Sequence, residues 1–433
     1  MAIRAADAAD RTHAISKGAK RYALGLLVVV YTFNFIDRQI LAILLPAIKA
    51  EFAVDDKVLG FLAGPAFAIL YATLGIPIAY LADRSNRRNL IAIALVIWSG
   101  MTALSGVAVN IFQLILARIG VGIGEAGCSP PAHSMIADLY PPKQRSTAMG
   151  LYTLGISGGI MIAYLAGGWV VENIGWRQAF FIVGIPGLIL ALIVRFTIQE
   201  PVRGTSENRI DSGDRPGVIT VARFLLARKS FLHMAAGAGL ASFSGYAFII
   251  FYPSFLVRSF SMSLATVGVY LGLILGIAGG LGFAGGGYIA DKIGRHRQAF
   301  RAIALSLLCA WVFMFPVYLA SSAQASLFFF IVPAIFSNVY LATTFAQTQG
   351  LVPLRMRAVA SALILFFINI VGLGLGPQLA GILSDYLADS FGRESLRYSL
   401  LIIGAVLTPW TALHYYMAGK TIESDLARVD EPG

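Results

Sequence analysis

Charge is what this chain has least of. Only 13% of its 433 residues are Asp, Glu, Lys or Arg, against 58% hydrophobic. A soluble domain of that size could not bury so much apolar surface, so lipid must be part of the solvent. Cysteine is almost absent: Cys128 and Cys309 both fall in apolar segments. They offer no disulfide framework or metal cluster, and read as packing thiols. No nucleophile stands with a base, and there is no metal-ligand cluster or phosphate loop, which argues against a membrane-embedded enzyme and leaves no cofactor to expect. Residues 1–21 are polar and mixed in charge, and the first apolar run is long enough to span, so no cleavable signal is expected.

What is there is a series of apolar runs of about 20 residues, the length of a spanning helix. Twelve are read, at roughly 22–46, 58–82, 89–109, 112–137, 147–170, 178–197, 231–257, 265–289, 299–320, 325–350, 358–384 and 396–417. The expected fold is an all-α membrane protein of two six-helix bundles, 1–198 and 231–433, joined by a polar linker at 199–230. The end of the linker, 218–229, alternates apolar and basic residues at helical spacing and could lie on a membrane surface. The net charge of +11 fits basic loops on the cytoplasmic side of a membrane better than nucleic acid. With the N-terminus cytoplasmic, only Lys49, Lys57, Arg177, Arg258, Arg393 and Arg397 fall in loops on the opposite side. Both termini are therefore expected in the cytoplasm, with the chain a monomer in a bacterial inner membrane.

The two halves repeat one charged turn. The first copy runs Gly75-Ile-Pro-Ile-Ala-Tyr-Leu-Ala-Asp83-Arg84-Ser-Asn-Arg87-Arg88, and the second runs Gly287-Tyr-Ile-Ala-Asp291-Lys292-Ile-Gly294-Arg295-His296-Arg297. Farther on, Pro141-Pro-Lys-Gln-Arg145-Ser-Thr-Ala148 is matched by Pro353-Leu-Arg-Met-Arg357-Ala-Val-Ala360. Parallel six-helix repeats around a central cavity are one architecture of secondary transporters that work by alternating access. A carboxylate repeated within cationic loops is not explained by topology, so Asp83 and Asp291 are candidate gate residues. Arg145 and Arg357 are their candidate partners, and Arg84, Arg87, Lys292 and Arg295 complete the two turns. Arg88, Arg297 and Arg301 need no role beyond topology.

Four strong charges lie well inside the spans: Asp37 and Arg38 in the first, Arg118 and Glu125 in the fourth. Each is costly there unless paired or hydrated. Opposite helix directions put Asp37 and Arg118 at similar depth, and Arg118, Gly122 and Glu125 share one helical stripe, with glycine leaving room for a close neighbour. Burial favours the neutral acid and a guanidinium favours the carboxylate, so a change of pairing can load or release a proton. Asp37 and Glu125 are thus candidate proton carriers, Arg38 the candidate anion contact, and Arg118 a structural or coupling partner that also lines the substrate path. His133 reads as a packing residue. The second half offers only neutral groups at this depth, among them Asn338, Gln347, Gln349 and Asn369. A cavity charged on one wall and apolar on the other suits an amphiphile with one anionic head.

The charged turns resemble the signature of the major facilitator superfamily, Gly-x-x-x-Asp-Arg/Lys-x-Gly-Arg-Arg, with Ala79 and Asn86 departing from it in the first copy. Arg118-Ile-Gly120-Val-Gly122-Ile-Gly124-Glu125-Ala126 resembles its fourth-helix motif, and Gly155, Gly158, Gly159 and Gly167 its fifth-helix glycines. Within that superfamily, Phe33-Asn34-Phe35-Ile36-Asp37-Arg38 and Gly120 to Ala126, followed by Pro130, Ala132, Asp138, Pro141 and Arg145, are similar to the Spinster branch. Trp176-Arg177-Gln-Ala-Phe180 with Gly184, Pro186 and Gly187 continues the likeness. The resemblance implies movement of lysolipids or sphingosine phosphates driven by a proton gradient, with Asp37 and Glu125 in proton coupling and Arg38 at the lipid headgroup. An organic-anion:proton symporter also carries Asn-x-x-Asp-Arg and Arg…Gly…Glu-Ala, and is the main alternative. A drug exporter or a passive scramblase is the alternative from another class.

Overall fold

A computed structural model describes residues 15–82, 84–202, 217–282, 284–286, 296–353 and 356–428. All regular structure among them is helical. Twelve helices are long and apolar enough to cross a membrane: α1 (Lys17–Phe52), α2 (Asp56–Gly75), α3 (Arg87–Ser105), α4 (Ile111–Leu139), α5 (Thr147–Asn173), α6 (Trp176–Thr197), α7 (Lys229–Phe260), α8 (Leu264–Gly286), α9 (Arg297–Leu319), α10 (Ala323–Gly350), α11 (Val359–Tyr386) and α12 (Ala388–Leu426). Each coincides with one apolar run, but several extend farther. α1 begins where the Ser16 hydroxyl accepts from the Ala19 N–H and ends at Ala53, which adopts a left-handed conformation at φ 50°. Caps, not hydropathy, set such ends, so the polar turns Lys17–Arg21 and Lys49–Glu51 stay helical.

Several spans depart from regular α-helix near their middles. In α4, helix stops at Glu125 and resumes at Ser129, ahead of Pro130 and Pro131, whose missing N–H groups interrupt the ladder. In α11, Ile368–Leu375 widens to a π-helix around Asn369, and α8 does the same at Ile274–Ala278. Such widened turns are frequent at functional sites.

Six spans precede the linker and six follow it. The halves meet through α5 against α8 and α2 against α11, two contacts that the internal repeat interchanges. At the first, Gly168 and Gly268 face one another so closely that a Cβ on Gly168 would stand 2.5 Å from the Leu264 carbonyl oxygen. The buried core is divided accordingly. One cluster joins both halves on the face away from the linker, running from Ile40, Leu44 and Tyr164 through Phe251, Tyr252 and Leu400. Nearer the linker are two separate clusters, one around Trp98 and Tyr152, the other around Phe231, Phe300 and Tyr415. Apolar packing thus ties the halves together on the far face and draws chiefly on one half at a time on the linker face. The linker helix Val218–Leu226 buries Val221 and Leu225 in the second-half core and leaves Ile219 and Leu226 exposed.

Candidate functional site

The four intramembrane charges come together. Asp37 and Arg38 sit midway along α1, and Arg118 and Glu125 lie two turns apart on α4; all four are buried, with Asp37 and Glu125 each 1% exposed. Arg38 Nε donates to Glu125 Oε2 at 2.5 Å. Arg118 approaches Asp37 Oδ1 at 3.6 Å and donates to the Asp37 backbone carbonyl at 3.4 Å. Thr102 of α3 donates to the other Asp37 oxygen. Two cations therefore face two anions, and the cluster is neutral as a whole, the arrangement that lowers the cost of burying charge.

Phe67 of α2 stands between the pairs, its ring centroid 5.1 Å from the Arg38 guanidinium carbon and 4.7 Å from that of Arg118. Tyr71, one turn on, lies 4.3 Å from Arg38. Aromatic faces of this kind attract the planar guanidinium and shield it from water. The approach of α2 depends on Gly122: a Cβ there would lie 2.5 Å from the Phe67 carbonyl oxygen. The glycine in the Arg118–Glu125 stripe is what admits Phe67 between the two arginines.

The opposing wall belongs to α7. In the register that sets Asp83 on Asp291, Arg38 corresponds to Tyr246, and these two meet, with the Tyr246 hydroxyl beside the Arg38 guanidinium. Around it the second half offers Ser242, bonded to the Tyr340 hydroxyl at 2.8 Å. Asn338 and Asn369 are engaged in their own helices, donating to Ala334 and Leu365 carbonyls. Gln347 is half-buried farther along α10. Among the sequence candidates for substrate contact, only Arg38 and Arg118 lie in the charged cluster.

Of the gate candidates, Asp83, Asp291, Lys292 and Arg295 lie outside the described residues. Arg84 is exposed in the turn after α2, and Arg357 is exposed at the start of α11. Arg145 donates to the Ala137 carbonyl at 3.0 Å. Arg87 is fully buried. It bonds Asp138 and Ser134 at the end of α4, and Glu200 Oε1 and the Pro201 carbonyl, both at 2.7 Å, beyond α6. It cross-braces the first half on the linker face.

A second charged cluster, on the far face, was not singled out from the sequence. Asp56, the first residue of α2, is 2% exposed. It takes Lys49 at 2.5 Å, both terminal nitrogens of Arg258 at 2.5 Å and the Ser384 hydroxyl at 2.7 Å. Asp385 of α11 accepts the N–H groups of Asp56 and Lys57 at 2.9 and 2.8 Å, capping α2 from the other half. Acids at a helix start are common, because they suit the macrodipole, so Asp56 carried no distinctive signal. Only the fold reveals that α7 and α11 of the other half supply partners to it.

The chain as a whole has counterparts among known proteins. Residues 27–377 match the Major Facilitator Superfamily. The chain belongs to that superfamily. A crystal structure described as a bacterial homolog of the human lysosomal transporter Spinster, inward-facing and unoccupied, superposes with a TM-score of 0.85 at 31% identity, covering 95% of this chain and 99% of the other. An "MFS-type efflux pump" of Mycolicibacterium smegmatis is 34% identical over 97% of each chain. "Protein spinster homolog 1" of Xenopus tropicalis is 28% identical over 92% of this chain and 81% of its own length. A "D-galactonate transporter" of Escherichia coli is 26% identical over 91% and 96%. The chain is a Spinster-like transporter of this superfamily and an integral membrane protein, not an enzyme.

Proposed function

We propose that this transporter moves an amphiphilic anion, a lysolipid or sphingosine-phosphate-like molecule, by proton-driven alternating access. The observation that carries the reading is the asymmetry of the central site. All of its ionised groups stand on α1 and α4, whereas α7 and α10 face them with Tyr246, Ser242 and Tyr340. One anionic head has a guanidinium to meet, and the rest of the molecule meets hydroxyls and aromatic rings. Arg38 is the guanidinium within reach of the second half, so it takes the head.

Coupling follows from charge balance. An anion that draws Arg38 away leaves Glu125 as an uncompensated buried carboxylate, and protonation is the least costly way to neutralise it. Asp37 is held by Arg118 and Thr102 in the same cluster. Proton occupancy of the two acids is thereby linked to anion occupancy at Arg38. In this reading the far-face cluster around Asp56, which links the two halves, is the closed gate of the path, and the charge bias of the loops supports assigning that side to the exterior of a bacterial inner membrane.

The test is transport in proteoliposomes, with and without an imposed pH gradient, of a labelled lysolipid and of a sugar acid such as galactonate. Gradient-driven lipid movement that is lost in Asp37→Asn is the expected result. Movement of the sugar acid alone would instead place the protein with the small-carboxylate symporters, the second reading, which the galactonate relative supports. Lipid movement indifferent to the gradient would favour a scramblase.

A further inference from the structure

Asn34 lies on α1 one turn before Asp37 and Arg38 and is 0% exposed, yet neither its Oδ1 nor its Nδ2 has a hydrogen-bond partner. An orphaned buried amide is destabilising, and an apolar side chain of that size would serve packing better. The amide lies against the Glu125 carboxyl. There Oε2 holds Arg38 while Oε1 is also without a partner. Asn34 and Glu125 thus meet in the middle of the site without a hydrogen bond of full geometry.

The chemistry of the neighbours explains why an amide stands there. Glu125 is faced by Asn34, Asp37 and Arg38 from α1, by Arg118 and Cys128 from α4, and by Tyr246 from α7. The arginines only donate, so they serve a carboxylate and have nothing to offer a carboxylic O–H. The Tyr246 hydroxyl is beside Arg38. An amide both donates and accepts, and a turn about its last torsion exchanges the two.

We propose that Asn34 is a positioning residue for the Glu125 proton: its Nδ2–H group donates to the carboxylate, and its Oδ1 accepts from the acid after Arg38 has been drawn off. Glu125 can then change charge without leaving its place or moving α4. The inference rests on the proton-driven reading and deepens it, since it names the group that holds the acid in both states.

Infrared difference spectroscopy of the protein in lipid nanodiscs, titrated with pH, tests this without substrate. The carboxylic C=O band that disappears in Glu125→Gln is the band of Glu125. In Asn34→Leu that band should move to the frequency of an acid lacking a hydrogen-bonded partner. Its titration midpoint should be displaced by about tenfold in proton concentration, the size expected when a charge-assisted hydrogen bond is lost. Gradient-driven transport should fall at least about tenfold while substrate counterflow, which needs no net proton movement, stays within about twofold. Asn34→Gln should restore part of both effects, which a merely structural role would not predict. If Asn34→Leu does not fold, Asn34→Ala removes the same groups. A Glu125 band unchanged in frequency and midpoint in the variant overturns the role of Asn34. The absence of any titrating Glu125 band in the unaltered protein overturns the proton-driven reading itself, and the inference with it.

Discussion

Asp56 offers the most direct perturbation of the conformational balance. Its carboxylate gathers Lys49, Arg258 and Ser384, while Asp385 caps the helix that Asp56 begins. Asp56→Asn keeps the shape but removes the charge, leaving two cations facing a neutral amide. Removing one partner of a buried pair costs about 3–5 kcal/mol. The Lys49 side chain is 32% exposed and Arg258 19%, so water recovers part of that and the lower end applies. Because Arg258 and Ser384 belong to the other half, their share of the loss falls only on a conformation in which the far face is closed, whereas the loss at Lys49 falls on both. About 3 kcal/mol moves a conformational ratio about a hundredfold. Spin labels at the exposed positions Val109 and Ser390, one in each half on the far face, read the change by pulsed electron resonance in a background lacking Cys128 and Cys309. The expected outcome is a new population at longer distance. An unchanged distribution, with the protein still folded, would show that the apolar packing of Gly168, Gly268 and Tyr164 holds the face shut and that the ion cluster adds nothing.

Arg87→Ala removes the side chain that ties Asp138 to Glu200 in the first half, at a cost of about 3 kcal/mol. The thermal midpoint should fall clearly while substrate affinity is unchanged; an affinity loss with normal stability would instead place Arg87 in the transport path. Gly122→Ala puts a methyl against the Phe67 carbonyl and should cost about 1–3 kcal/mol as α2 is pushed off α4. Because Phe67 then leaves its place between the arginines, anion affinity should fall as well, which a binding titration checks; a fall in stability alone would deny Phe67 that role.

Fold and site were legible to different degrees. The twelve spans could be read because hydrocarbon thickness imposes a length and a composition on each helix, and the family could be read because the turn at Asp83 recurs at Asp291. The helix ends were misjudged by several residues, since caps such as Ser16 and Ala53 work outside the apolar window. Asp37, Arg38, Arg118 and Glu125 stood out because a charge within a span is too costly to be incidental. Thr102 and Phe67 did not, being ordinary residues in ordinary helices, and Asn34 entered only as a letter of the first-span motif, with no role attached. Their importance comes from position relative to charges on other helices.

By itself, then, the sequence determined which segments enter the membrane, that they form two related halves, and which side chains carry charge into the bilayer. These are properties of single segments, governed by solvent and period. Tertiary structure alone decided the pairing of Arg38 with Glu125 and Arg118 with Asp37, the insertion of Phe67 between them, and the joining of the two halves on the far face through Asp56. Each of these joins residues from helices separated along the chain, and the distances between them depend on how closely glycines let those helices approach.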